Sequence, residues 1–172
     1  MTNEEILSHI RNIPDFPHQG IQFKDITTAL KDKETFKSII DNMYELVKDL
    51  DIDYIVAIES RGYILGAPLA YKLNAGLVIV RKPGKLPAPT ERVEYGLEYG
   101  KDVLEIHKDA IEQGKKVLVI DDLLATGGTV NATIELVEKI GATVTASLFL
   151  IELKEISHIA NVKSPVISLI KC

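Results

Sequence analysis

The chain has 172 residues, 46% of them hydrophobic, and a formal charge of −5, which provides for one substantial core in a single domain spanning 1–172. The negative balance argues against a nucleic-acid surface and leaves any anionic ligand to be met by local cations. A lone cysteine, Cys172, excludes an intrachain disulfide and fits a reducing cytoplasm, and no apolar run approaches the ~18 residues of a membrane span.

In chain order, residues 4–12 read as a short helix that Pro14 and Pro17 prevent from continuing. Phe36, Ile39, Ile40, Met43, Leu46, Val47 and Leu50 recur at helical spacing across 34–50 and mark a core-facing stripe. Tyr54 to Ile58 is a compact buried strand, 62–74 the helix after it, closed at Gly76, and Leu77 to Val80 the next strand. Pro83, Gly84, Pro87 and Pro89 then predict a long irregular excursion from Lys82 to about Glu94, of the kind that serves as a lid. A helix over Glu105 to Gln113, a strand at Val117 to Ile120, a helix marked by Val130, Ile134, Val137 and Ile140, and strands at 143–150 and 166–170 complete the pattern. Strands alternating with helices of this size predict βαβ units and a parallel sheet.

The stretch from Val117 to Thr129 carries the most chemistry. Four apolar residues lead into Asp121 and Asp122, and Ala125-Thr126-Gly127-Gly128-Thr129 follows at the head of a helix. Ligands of open parallel sheets bind at the carboxyl ends of the strands. A Gly and hydroxyl-rich turn there can converge its N–H groups on one phosphate. Neither G-x-x-x-x-G-K-[ST] nor G-x-G-x-x-G occurs, so a nucleotide triphosphatase and a dinucleotide fold are not indicated. Adjacent carboxylates disfavour each other's ionisation. Something polar or cationic should face them, and the vicinal hydroxyls of a ribose with a nearby Mg²⁺ would serve. An ordinary βα turn with an acidic helix start is the bland alternative.

Three further segments are candidates. Glu59-Ser60-Arg61-Gly62 follows a buried strand, where it reads either as a ligand loop or as a helix capped by Ser60 with Arg61 exposed. Arg81, Lys82 and Lys85 make either a solvated basic turn or counter-charge for a multiply anionic ligand. Phe16, Phe23 and Lys24 near the start, and Tyr95, Glu98 and Tyr99 after the excursion, read bare as aromatic anchors with polar companions. The histidines, His9, His18, His107 and His158, show no metal-ligand spacing.

The segment Val117 to Thr129 resembles the phosphoribosyl diphosphate (PRPP) signature of the type I phosphoribosyltransferases. With F-P-x-x-G-I-x-F-K-D-I-T, E-S-R-G, R-K-P-G-K-L-P and Y-x-L-E-Y-G in this order, the chain is similar to the adenine-using members of that family over about residues 14–153. The resemblance implies a five-stranded parallel sheet flanked by helices, with a small hood from about 1–30 and the C-terminal part, and a flexible closing loop over Pro83 to Tyr99. It implies that Asp121 and Asp122 hold the ribose and that Ala125, Thr126, Gly127, Gly128 and Thr129 hold the 5-phosphate. Glu59, Ser60, Arg61, Arg81, Lys82, Lys85 and Tyr99 would meet the diphosphate, with a non-proline cis peptide expected near Glu59-Ser60. Phe23 would stack on adenine, the backbone around Lys24 would read its 6-amino edge, and Leu153 would close the other face.

The implied reaction joins adenine to PRPP to give AMP and diphosphate through an oxocarbenium-like transition state. Glu98 and Arg61 are its implied catalytic groups, and Mg²⁺ would be held through the substrate, with Asp121 and Asp122 as candidate ligands. A homodimer is implied, without nucleic acid or membrane. Transfer to a 6-oxopurine base, and a PRPP-sensing regulator without catalysis, are the rival readings. The chain has neither the spare length nor the basic charge expected of such a regulator.

Overall fold

The computed structural model describes residues 1–97, 100–157 and 160–172. It begins with α1 (Asn3–Ser8), whose N-cap Thr2 and Glu5 exchange hydrogen bonds in a capping box. Then come β1 (Arg11–Pro14), β2 (Gln22–Asp25), α2 (Thr27–Leu30), α3 (Lys33–Val47), β3 (Tyr54–Ile58), α4 (Arg61–Leu73) and β4 (Gly76–Val80). The second half comprises β5 (Thr90–Leu97), β6 (Gly100–His107), β7 (Lys116–Leu124), α5 (Gly128–Lys139), β8 (Thr143–Glu152), α6 (Lys154–Ser157) and β9 (Val166–Lys171). Among the described residues no helix is long and apolar enough to cross a membrane.

Five strands form one sheet in the order β4-β3-β7-β8-β9, and every pairing in it is parallel. Both faces are covered, which is why the strands read as apolar runs. In β3 and β7, Ile55, Ala57, Leu118 and Ile120 join the core under α1, α3 and α4. Their alternates Val56, Ile58, Val117 and Val119 join the core under α5 and the β5–β6 hairpin. Helix α4 lies unusually close to the sheet: a Cβ built on Gly66 would stand 2.9 Å from the Ala57 Cβ, and one on Gly62 2.9 Å from the Ile120 carbonyl. That close approach sets Arg61, the first residue of α4, over the carboxyl ends of β3 and β7.

Several boundaries differ from the sequence reading, each because of a partner distant in sequence. The helix expected over 4–12 stops at Ser8, and Arg11–Pro14 is extended because Ile13 pairs with Phe23 and Pro14 with Gln22. The helix expected over Glu105 to Gln113 is instead the end of β6 and a turn. Leu104 and Ile106 are fully buried and antiparallel to β5, so the governing period there is two. The irregular excursion ends at Thr90 rather than near Glu94, where β5 begins. Strand β7 runs through both acids to Leu124, since Leu123 and Leu124 find ladder partners in Ile151 and Glu152. Helix α4 is closed by Asn74 in the left-handed region (φ 53°), and Gly76 opens β4.

Candidate active site

Residues 125–129 and the two acids meet at the carboxyl edge of the sheet, as expected from their order. Gly127, at the N-cap of α5, has φ 82°, a conformation that favours glycine. A Cβ there would also come within 2.5 Å of the Ala160 carbonyl oxygen. Ala125, Thr126, Gly127, Gly128 and Thr129 wrap a concavity of about 90 Å³ floored by Asp121 and Phe149. That is room suited to one compact anion. Beside it lies a cleft of about 410 Å³ bordered by Ser60, Arg61, Lys82, Asp121, Asp122 and Thr129, within the ordinary range for small-molecule sites.

The two acids differ in environment. Asp122 is 4% exposed and bonds the Arg61 Nε. Asp121 accepts the Asp122 backbone N–H at 2.9 Å. Burial and the adjacent Asp122 charge push its carboxyl well above the usual carboxylate range. Burial is the largest influence and opposes the charge on Arg61, but the Asp122 hydrogen bond together with the nearby charges of Asp122, Asp121 and Asp25 outweighs it and raises the guanidinium pKa. The same guanidinium stands 5.7 Å from the centre of the Phe23 ring, which Phe16 meets edge-on at 5.1 Å. One side chain thus links the acid pair to the aromatic platform of the β1–β2 hairpin.

Glu59 and Ser60 are joined by a cis peptide, as the resemblance implied, and Ser60 caps α4 without a side-chain hydrogen bond. The Glu59 carboxylate gathers the basic turn: it accepts Lys85 Nζ at 2.5 Å, the Lys82 backbone N–H at 2.7 Å and Arg81 Nη2 at 3.4 Å. Burial raises its pKa, but these donors outweigh burial and hold it below the ordinary value. Among the described residues, Arg81 Nε is buried without a hydrogen-bond partner, an orphaned donor of the kind a ligand satisfies. Lys82 lies in the cleft with Arg61, and burial lowers its ammonium pKa.

Not every expected residue converges. Leu153 follows β8, donates its N–H to the Leu124 carbonyl at 3.0 Å and packs half-buried on the core. It borders neither concavity. Lys24 lies in β2 opposite Asn12. Glu98 and Tyr99, expected in catalysis and diphosphate binding, lie outside the described residues, as does His158. Asp102 was not anticipated as a site residue, and Tyr95 was read only as an anchor. The Tyr95 hydroxyl stands 3.3 Å from the Asp102 carboxylate and 3.3 Å from the Thr129 hydroxyl, and Asp102 bonds the Lys82 ammonium. A Y-x₆-D spacing across a hairpin is the only trace in the sequence, and it becomes visible only once β5 and β6 are paired.

A doubly covered parallel sheet that presents an acid pair and a glycine and hydroxyl turn at its carboxyl edge is the architecture of a phosphoribosyl-transferring enzyme, and the sequence profile of the phosphoribosyl transferase domain matches residues 27–168. The adenine phosphoribosyltransferase of Caldicellulosiruptor saccharolyticus is 58% identical over 153 residues, covering 89% of this chain and 87% of its own. The crystal structure of the adenine phosphoribosyltransferase from Thermoanaerobacter pseudethanolicus superposes with a TM-score of 0.96 at 51% identity, covering 99% of this chain and 100% of that one. The enzyme from Saccharomyces cerevisiae, complexed with an imino-altritol bisphosphate and adenine, gives 0.91 at 37% identity over 97% of each chain. The chain belongs to the adenine phosphoribosyltransferase family, within the pentosyltransferases.

Proposed function

We propose that this protein transfers the 5-phosphoribosyl group of PRPP to N9 of adenine, releasing diphosphate and forming AMP. The observation that carries this reading is Arg61, which bonds Asp122 while lying 5.7 Å from the Phe23 ring. It joins a ribose-binding acid pair to an aromatic platform for a base. The 5-phosphate takes the loop 125–129, where N–H groups at the head of α5 and the hydroxyls of Thr126 and Thr129 converge. The ribose hydroxyls take Asp121 and Asp122. Each carboxylate can accept a hydrogen bond from a ribose hydroxyl. The diphosphate takes the Ser60-Arg61 turn and the cations of 81–85.

Departure of diphosphate leaves positive charge on the ribose ring, so catalysis rests on positioning and on stabilising charge as it separates. The carboxylates beneath the ring meet the positive sugar, while Arg61 and Lys82 meet the negative leaving group. Among the described residues no group of three or more His, Cys, Asp or Glu is arranged for a metal ion. The donor set suits a Mg²⁺ that takes one or two carboxylates, Asp121 and Asp122, and draws its other ligands from the substrate. When bound, it would neutralise the departing diphosphate.

Incubation with PRPP, Mg²⁺ and adenine, hypoxanthine, guanine or xanthine in turn tests the reading. AMP formation with adenine, lost on chelation and restored by Mg²⁺, is expected. Turnover of a 6-oxopurine with none of adenine would refute it. We infer in addition a homodimer working in the cytoplasm, supported by the single cysteine and by an apolar face on α4 and the edge strand β4. There Tyr71 is 88% exposed, Ile64 42%, Leu77 42% and Ile79 36%.

A further inference from the structure

The larger cleft is short of positive charge for the ligand it is proposed to take. Its walls carry four carboxylates, those of Glu59, Asp102, Asp121 and Asp122, against the two cations Arg61 and Lys82. Arg61 is engaged by Asp122 and Lys82 by Asp102. The two acids differ in what they do beyond this. Asp122 sits beneath the proposed ribose, but Asp102 comes from the β5–β6 hairpin and has no place in the transfer described above.

Asp102 also has partners that remain when Lys82 leaves. Its Oδ1 accepts the Val103 backbone N–H at 2.9 Å, and its Oδ2 faces the Tyr95 hydroxyl at 3.3 Å. Since an ionised carboxylate only accepts, Tyr95 donates to it. The carboxylate is therefore seated on its own hairpin independently of the ammonium, and Lys82 can exchange it for a phosphate oxygen without stranding it.

Resting on the transfer reading above, we propose that Asp102 is an internal counter-ion of the diphosphate subsite. It competes with diphosphate oxygens for the Lys82 ammonium, weakening the hold on PRPP and on product diphosphate alike and favouring product release. Both ligands share the pyrophosphoryl oxygens that Lys82 would meet, whereas adenine does not. The carboxylate thus tunes affinity for one substrate and one product and leaves the base alone.

The test is D102N in the full chain, which keeps the shape and removes the charge. Inorganic diphosphate with Mg²⁺ is titrated calorimetrically into wild type and variant, and KM values for PRPP and adenine are measured alongside. Diphosphate Kd and PRPP KM should each fall about three- to fivefold, the range for a partly exposed ion pair worth ~0.6–1 kcal/mol. The adenine KM should stay constant, and kcat should fall as release slows. Tightening is a result that loss of structure does not produce. D102S provides the same charge deletion should D102N fold poorly. An unchanged or weaker diphosphate affinity overturns the proposal, as does tightening that persists in a K82M background, where no ammonium is left to compete for. A wild-type chain that binds diphosphate but makes no AMP overturns the transfer reading instead, and the calorimetric comparison still decides the role of Asp102.

Discussion

Replacing Gly127 by alanine tests the proposed phosphate loop where its backbone and its packing coincide. The residue has φ 82°, and an L side chain there costs about 1–2 kcal/mol. A Cβ would also stand 2.5 Å from the Ala160 carbonyl oxygen and 3.0 Å from its Cβ. Because the nearest obstacle is backbone, relief requires a shift of one chain segment, adding roughly 1–3 kcal/mol. The sum of about 2–5 kcal/mol corresponds to a melting temperature lower by ~5–15 °C for a domain of this size. Gly20 supplies the control: its φ is 89° but nothing lies within 4 Å of an added Cβ, so G20A should carry the conformational part alone, ~1–2 kcal/mol. Differential scanning calorimetry of both variants, with PRPP KM measured on each, separates the contributions. In G127A the N–H groups of Gly128 and Thr129 are displaced, and PRPP KM should rise about tenfold or more, the loss of roughly one phosphate contact. Equal melting of G127A and G20A, with PRPP KM unchanged in G127A, would refute the reasoning.

Acid should expose one ion pair of the β1–β2 hairpin. Arg11 and Thr27 hydrogen bonds lower the Asp25 pKa from 3.8 to about 2. A folded value below the unfolded one gives stability that is full above pH ~4 and lost as pH falls toward 2. NMR titration of the Asp25 carboxyl should show a midpoint near 2 in wild type, moving toward the ordinary value in R11A. An unmoved midpoint would dissociate the shift from Arg11. For the proposed dimer, Y71E combined with L77E places two carboxylates on the exposed apolar face of α4 and β4, and sedimentation velocity should show the protomer mass. A dimer that survives both changes lies on another surface.

The parts legible in the sequence are those whose determinants are local. Strand β3 has the bounds read for it because all of Ile55, Val56, Ala57 and Ile58 are buried, so no polar residue blurs its ends. The turn 125–129 at the head of α5 was legible because its glycines and hydroxyls stand in consecutive positions. Strand β6 was not legible, since the alternation of Leu104, Glu105 and Ile106 makes sense only opposite β5. Glu105 is itself buried, 7% exposed, and accepts the Gly84 N–H at 3.2 Å, a polar interior position that apolar periodicity passes over. Asp102 and Tyr95 escaped for the same reason, as single residues whose meaning arises from hairpin register.

In the proposed transfer Arg61 spans two compartments, touching Asp122, assigned to the sugar, and facing the Phe23 ring, assigned to the base. Whichever compound arrives first at such a shared wall changes the wall presented to the second, so the affinities of adenine and PRPP are expected to be thermodynamically linked. By reciprocity, each substrate should alter the binding of the other by the same factor. R61K keeps the charge but sacrifices the planar fork that faces both ways, and should diminish that cooperativity before it abolishes either binding event.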